Sequence, residues 1–148
     1  MKGERRLARQ LALQVLYEVD LVGHPLGEAL IQRFADTETV PRVQSYARRL
    51  VIGVSRCRDL LDQYIQLHAP EWPLDQVAIV DRNLLRMALY EFTLGEIPIK
   101  VAINEAVELA KRYGADSAPR FVNGVLGALV PKQAEIADAL HASIKVET

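Results

Sequence analysis

Apolar residues recur along this chain at intervals of three and four, the period of helices that turn one face to a core. The first such run spans about Glu4 to Val22. Its stripe is Ala8, Leu11, Ala12, Val15, Val19 and Val22, and Gly23-His24-Pro25 ends it. A short helix is predicted over about Leu26–Phe34, followed by a connection from Asp36 to Pro41, where the proline suits a first helical turn. A long helix then carries Val43, Tyr46, Ala47, Leu50, Val54, Cys57, Leu61 and Tyr64 on one side. Pro70 and Pro73 break the chain, because proline inside a helix removes a hydrogen bond and clashes with the preceding turn. The pattern resumes from Asp75 to Leu94, with a one-turn break expected near Ala78 and a stop at Gly95. Pro98 precedes a helix over about Ile99–Tyr113, which Gly114 terminates. Ser117 is expected to cap the next helix, with Pro119 in its first turn, and that helix stops before Pro131. Ile136, Leu140 and Ile144 stand four apart and predict a last amphipathic stretch with a fraying end. Strand alternation of useful length, internal repeats and long linkers are absent from the sequence. The expected fold is all-α, a bundle of continuous helices with short connections.

Composition agrees with that reading. The chain has 148 residues, 50% hydrophobic and 25% charged, enough to bury one core and too apolar for disorder throughout. No apolar run reaches the ~18 residues of a membrane span. The opening Met1-Lys2-Gly3-Glu4-Arg5-Arg6 leads into an amphipathic segment, so a secretory signal is not expected. Cys57 is the single cysteine, so no intrachain disulfide forms, which fits the cytoplasm.

Candidate chemistry is sparse. His24, His68 and His141 are scattered, and none has a second ligand at helical spacing, so no metal site is expected. Gly53-Val54-Ser55-Arg56-Cys57 lacks the closing glycine of a nucleophile elbow and falls in a helix. Cys57 lies on the apolar stripe and reads as a buried, inert thiol. Glu105 and Glu108 read as solvated, with Glu108 four residues before Arg112 for a weak helix pair. Asn104 and Asn123 are expected to bond backbone where helices meet, and Gly124 and Gly127 to admit a neighbouring helix. No Gly-rich phosphate loop is present. No catalytic residue, metal or cofactor is expected.

Charge distribution is more informative than the net charge of -1. Lys2, Arg5, Arg6 and Arg9 face only Glu4 in the opening turns, and five arginines from Arg42 to Arg58 include no acid between them. At about 100° per residue, Arg6, Arg9, Gln10, Leu13 and Tyr17 fall together on the first helix, opposite its stripe, with Arg5 and Gln14 on the borders. Arginines suit phosphates, Tyr17 offers a flat face for a base, and glutamines can read base edges. The competing reading is a solvated basic face with Tyr17 packed on a neighbour. The arginines from Arg42 to Arg58 spread around a long helix and are expected to face water.

Four collinear segments carry a family resemblance. Arg5-Arg6-Leu7-Ala8-Arg9-Gln10-Leu11-Ala12-Leu13-Gln14-Val15-Leu16-Tyr17 resembles the opening of the NusB family. Asp81-Arg82-Asn83-Leu84-Leu85-Arg86-Met87-Ala88-Leu89-Tyr90-Glu91 is similar to its central helix. Pro98 to Lys111 is similar to its most recognisable stretch, and Phe121-Val122-Asn123-Gly124-Val125-Leu126 to its closing motif. The resemblance implies a compact fold of about seven helices in two small three-helix subdomains, formed by residues 1–131, with 132–148 as a C-terminal tail. It implies a non-enzymatic transcription antitermination factor. The implied ligand is boxA RNA of ribosomal RNA leaders. The implied partners are the ribosomal protein NusE, then RNA polymerase and the other Nus factors. The family's RNA contacts would fall on Arg5, Arg6, Arg9, Gln14 and Tyr17, with Arg86 and Phe121 as further RNA neighbours and Asp81 as the contact to NusE. Leu7 stands where some members continue the arginine run, and Ser117-Ala118 where others carry an acid and a serine.

Two alternatives stay open on the residues alone. The same helical fold precedes a methyltransferase domain in ribosomal RNA cytosine methyltransferases, although Met1–Thr148 hold no Gly-rich nucleotide fold. A helical protein-interaction domain with an incidental basic face is the other.

Overall fold

The computed structural model describes residues 2–147, with side chains from 3 to 144. The Lys2 side chain of the basic opening and the side chains of 145–148 in the expected tail lie outside the described residues. Regular structure among the described residues is helical throughout: α1 (Lys2–Val22), α2 (Leu26–Ala35), α3 (Pro41–Leu67), α4 (Ile79–Thr93), α5 (Ile99–Tyr113), α6 (Ala118–Leu129) and α7 (Gln133–Glu147). One-turn 3₁₀ helices occupy Leu74–Gln76 and Val130–Lys132. The chain divides into two compact units, Met1–Gly53 and Val54–Thr148, the division falling inside α3.

In the first unit, α1 ends at Gly23, whose φ of 70° is a left-handed conformation open to glycine without a Cβ clash. Its N–H donates to the Val19 carbonyl at 3.0 Å. The proline at 25 presets an extended backbone, and its carbonyl accepts the first helical bond of α2 from Ala29 at 3.0 Å. Ala8 and Leu11 of α1 bury against Val43 and Ala47 of α3, with Phe34 and Tyr46 packed on them. Glu18 fastens the helix ends, meeting His24 Nδ1 at 2.9 Å and Arg33 at 3.8 Å.

The second unit is built around α4, which is buried nearly all round and packs on α5, α6 and α7. Leu84, Leu85, Leu89, Phe92, Leu126, Leu129, Ile136 and Leu140 are fully buried. Each such side chain contributes about 1.5–3 kcal/mol of apolar burial. Ile136 and Leu140 thus make α7 part of this core, and Gln133 Nε2 ties its start to the Phe92 carbonyl at 2.7 Å. The break expected near Ala78 is an extended pair, Val77 and Ala78, between the 3₁₀ turn and α4. At the far end of α4 the left-handed residue is Glu96, φ 58°, not Gly95. Gly95 is required by close approach instead, since a Cβ there would lie 2.9 Å from Glu91 Cα.

Several local expectations need correction. Ser117 stands at the N-cap of α6 but makes no side-chain cap bond, because its backbone is αR rather than the extended form that swings the hydroxyl back to the first turn. Glu105 is buried, since it lies three residues from Ala102 and four from Leu109 on the packed side of α5. Glu108 pairs with Lys111 at 3.1 Å rather than with Arg112. Asn104 and Asn123 are exposed. Asn83 does the backbone bonding instead, donating to the Ile79 carbonyl at 2.9 Å. Gly124 and Gly127 receive no helix, for a Cβ on either would meet nothing within 4 Å.

Candidate nucleic-acid interface

The face predicted on α1 divides when the neighbouring helix is in place. Arg5 and Arg6 are exposed, Tyr17 is 38% exposed, and Gln10 and Gln14 are half-buried. Arg9 and Leu13 are each 3% exposed and do not belong to a solvent face. A single-helix projection omits what packs on the flank, and here Tyr46 of α3 stands against α1. The Tyr46 ring gathers three guanidiniums, with Arg5 Cζ 4.1 Å from its centroid, Arg49 at 5.6 Å and Arg9 at 5.8 Å. A ring holds an arginine through its quadrupole without neutralising it, so the exposed Arg5 and Arg49 still present positive charge to solvent.

Beside Tyr46 lies a cleft of about 320 Å³ lined by Glu4, Arg5, Arg42, Val43, Ser45 and Arg49 with that ring. Arg42 Nε donates to Glu4 Oε2 at 2.6 Å. This bond holds the Glu4 carboxyl below its ordinary range. The arginines of α3 do face water, all five from Arg42 to Arg58 being exposed, as expected. What the sequence pattern missed is that two of them, Arg42 and Arg49, share a cleft with Arg5. Only the packing of α1 on α3 supplies that juxtaposition.

In the second unit the expected contacts fare differently. Arg86 is not open to a phosphate. Its side chain is 4% exposed, Nε and Nη2 donate to the two oxygens of Asp62 at 2.6 and 2.9 Å, and Nη1 donates to Asn83 Oδ1 at 3.1 Å. The reason is the near-complete burial of α4, since a charge placed there requires a bidentate partner to offset its lost hydration. This pair lies along a groove of about 1060 Å³ that also involves Arg58, Gln66, Leu74 and Arg82. Phe121 is half-buried and meets Trp72 edge to face, centroids 6.5 Å apart.

Asp81 lies in the first turn of α4, 9% exposed, and its Oδ1 is buried without a hydrogen-bond partner. Burial raises its pKa above the ordinary carboxylate range. Gly114 makes room for it, since a Cβ there would come 3.2 Å from Asp81 Oδ1 and 2.5 Å from Ala118 Cβ. An unpaired buried acceptor is costly, and here the close approach of Gly114 is what encloses it. No group of three His, Cys, Asp or Glu suited to a metal occurs among the described residues, and no described helix is long and apolar enough to cross a membrane.

A sequence profile of the NusB family matches residues 6–131. The transcription antitermination protein NusB of Dehalococcoides mccartyi is 42% identical over 93% of this chain and 96% of its own length. The protein of the same name from Chloroflexus aggregans is 43% identical over 89% and 90%. Among solved structures, T. maritima NusB matches with a TM-score of 0.81 at 32% identity, covering 88% of this chain and 92% of that one. A chain from a complex of antitermination factors NusB and NusE with dsRNA matches with a TM-score of 0.81 at 31% identity, covering 88% and 98%.

Proposed function

The chain belongs to the NusB family of transcription antitermination proteins, and on that premise we propose that it is an RNA-binding adaptor rather than an enzyme. Its RNA is boxA of ribosomal RNA leader transcripts, bound together with the ribosomal protein NusE in the cytoplasm. The heterodimer then joins RNA polymerase and the other Nus factors to suppress termination. The observation that carries this reading is the basic surface of the first unit, where exposed Arg5 and Arg6 of α1 stand with the Arg42 and Arg49 cleft around Tyr46. Phosphates are met by exposed guanidiniums, and Tyr17 supplies a base-stacking face. Arg9 supports this surface from within the first unit, Arg86 is held by Asp62 inside the second, and neither is assigned a phosphate. Gln14 flanks it, Phe121 adds an aromatic in the second unit, and Asp81 in the first turn of α4 marks the side of that unit that meets NusE. A similar chain has been solved with NusE and dsRNA.

The test is a gel shift with boxA RNA, with and without NusE, over a range of salt. The expected result is a shifted complex strengthened by NusE, with affinity falling as salt rises because phosphate contacts release counterions. Absence of any shift at low salt, with NusE present, refutes the assignment.

A further inference from the structure

The cleft beside Tyr46 holds a carboxylate among its arginines, placed where an outside anion would sit. Glu4 lies in the first turn of α1, and Arg42 in the first turn of α3. The two are 38 residues apart, so the 2.6 Å bond from Arg42 Nε to Glu4 Oε2 exists only because α1 packs on α3. Of the described residues lining the cleft, Glu4 alone is acidic, against Arg5, Arg42 and Arg49. Arg5 and Arg49 rest on the Tyr46 ring, and neither makes an ion pair among the described residues. Arg42 differs from them in having an anionic partner already.

That partner holds it in water. The Arg42 side chain is 71% exposed and that of Glu4 26%. Ion pairs at such exposure are weak and exchange readily. A guanidinium meets carboxylate and phosphate oxygens with the same fork of donors, and two anions on one guanidinium repel each other. A phosphate entering the cleft therefore displaces the carboxylate. Burial does not protonate Glu4 out of the way, since its bond to Arg42 holds the carboxyl below its ordinary range and keeps it ionised at neutral pH.

We propose that Glu4 is a built-in competitor for RNA phosphate at Arg42. Without RNA its carboxylate occupies the arginine and keeps it at the cleft. With RNA a backbone phosphate takes the arginine and the carboxylate turns to water. Exchanging one acceptor for another contributes only the difference between them, so the strength of this contact is set by Glu4 as much as by Arg42. The inference rests on the RNA-binding reading above and adds to it a residue that opposes the ligand.

Anisotropy of labelled boxA RNA, with NusE present and over a range of salt, tests it. Glu4→Gln keeps the shape of the side chain and removes its charge. It should tighten binding roughly two- to fivefold, the factor for an exposed ion pair that no longer has to be broken. Its Tm should move little, because the pair is exposed. Arg42→Ala should lower the log–log salt slope by about 0.7, the value for one single-strand phosphate contact. Glu28→Gln removes the same charge from α2, outside the cleft lining, and should leave affinity near that of wild type because salt screens distant charges. By NMR, the Glu4 carboxyl should titrate closer to the ordinary range when RNA is bound, since it has then lost Arg42. Wild-type affinity in Glu4→Gln, an equal gain in Glu28→Gln, or an unchanged slope in Arg42→Ala overturns the competitor and leaves the adaptor reading standing. Weaker binding by Glu4→Gln also overturns it, and makes Glu4 a residue that positions Arg42. Failure of the wild type to bind boxA RNA, with NusE present, overturns both.

Discussion

In the first unit Arg5 and Arg49 lie exposed against the Tyr46 ring, whereas in the second Arg86 is almost wholly buried and holds both oxygens of Asp62. The same side chain thus serves two ends. On Tyr46 the guanidinium keeps its water and its net charge, so an outside anion can still be met. On Asp62 the charge is cancelled internally, because a desolvated guanidinium without a bidentate acceptor would cost several kcal/mol. Counting arginines in a sequence does not separate these cases. Their neighbours do.

The contrast is tested most severely at Arg86. Arg86→Ala strands Asp62 and Asn83 and should lower stability by about 3 kcal/mol, the lower part of the range for breaking a buried pair because Asp62 keeps 24% of its side chain exposed. Urea unfolding measures it. A loss below about 1 kcal/mol would place Arg86 with the surface arginines and dissolve the distinction.

Tyr17→Ala comes next. It should weaken boxA binding by about 1–3 kcal/mol through lost stacking, with the salt slope nearly unchanged. Tm should move little, because Tyr17 is among the exposed residues of α1. A large drop in Tm with unchanged affinity would assign the ring to the core.

Arg6 and Arg9 then divide the first helix. Arg6→Ala should lower the log–log salt slope by about 0.7 and leave stability alone. Arg9→Ala should leave the slope alone and lower stability, since its side chain is packed beside Tyr46. Equal slopes for the two mutants would show that burial does not decide which arginine meets a phosphate.

The smallest effect is expected at Asp81. Burial raises its pKa in the folded protein, so the folded state binds more protons than the unfolded one between the two pKa values. Stability from this group is therefore full below the unfolded value of about 3.9 and declines as pH rises through the folded value. Asp81→Asn should remove that decline, so its Tm relative to wild type should rise from pH 4 toward neutrality. A constant difference across that range would mean that Asp81 is solvated and paired. The same variant should weaken NusE binding, because an amide presents a neutral acceptor in place of a charged one.

The sequence by itself determined the helices. Their periods, and the prolines at 25, 41 and 98, act through backbone geometry within a few residues, so α1 to α6 fall close to where the pattern places them. It also put Arg5, Arg6 and Tyr17 on the exposed side of α1, because that face follows from one helix's own stripe. Only the tertiary structure decided what happened to Arg9, Leu13 and Glu105, which a single-helix view left in solvent, and to Arg86, which the family resemblance left open to RNA. Burial is a property of what packs on a residue, and the helices that cover these four are not encoded in their local spacing. The meeting of Arg5 with Arg42 and Arg49, and of Trp72 with Phe121, is of the same kind. Trp72 was visible in the sequence only as part of a proline-bounded break, and nothing local distinguishes a loop tryptophan that packs away from one that α6 leaves half-exposed at the edge of a notch.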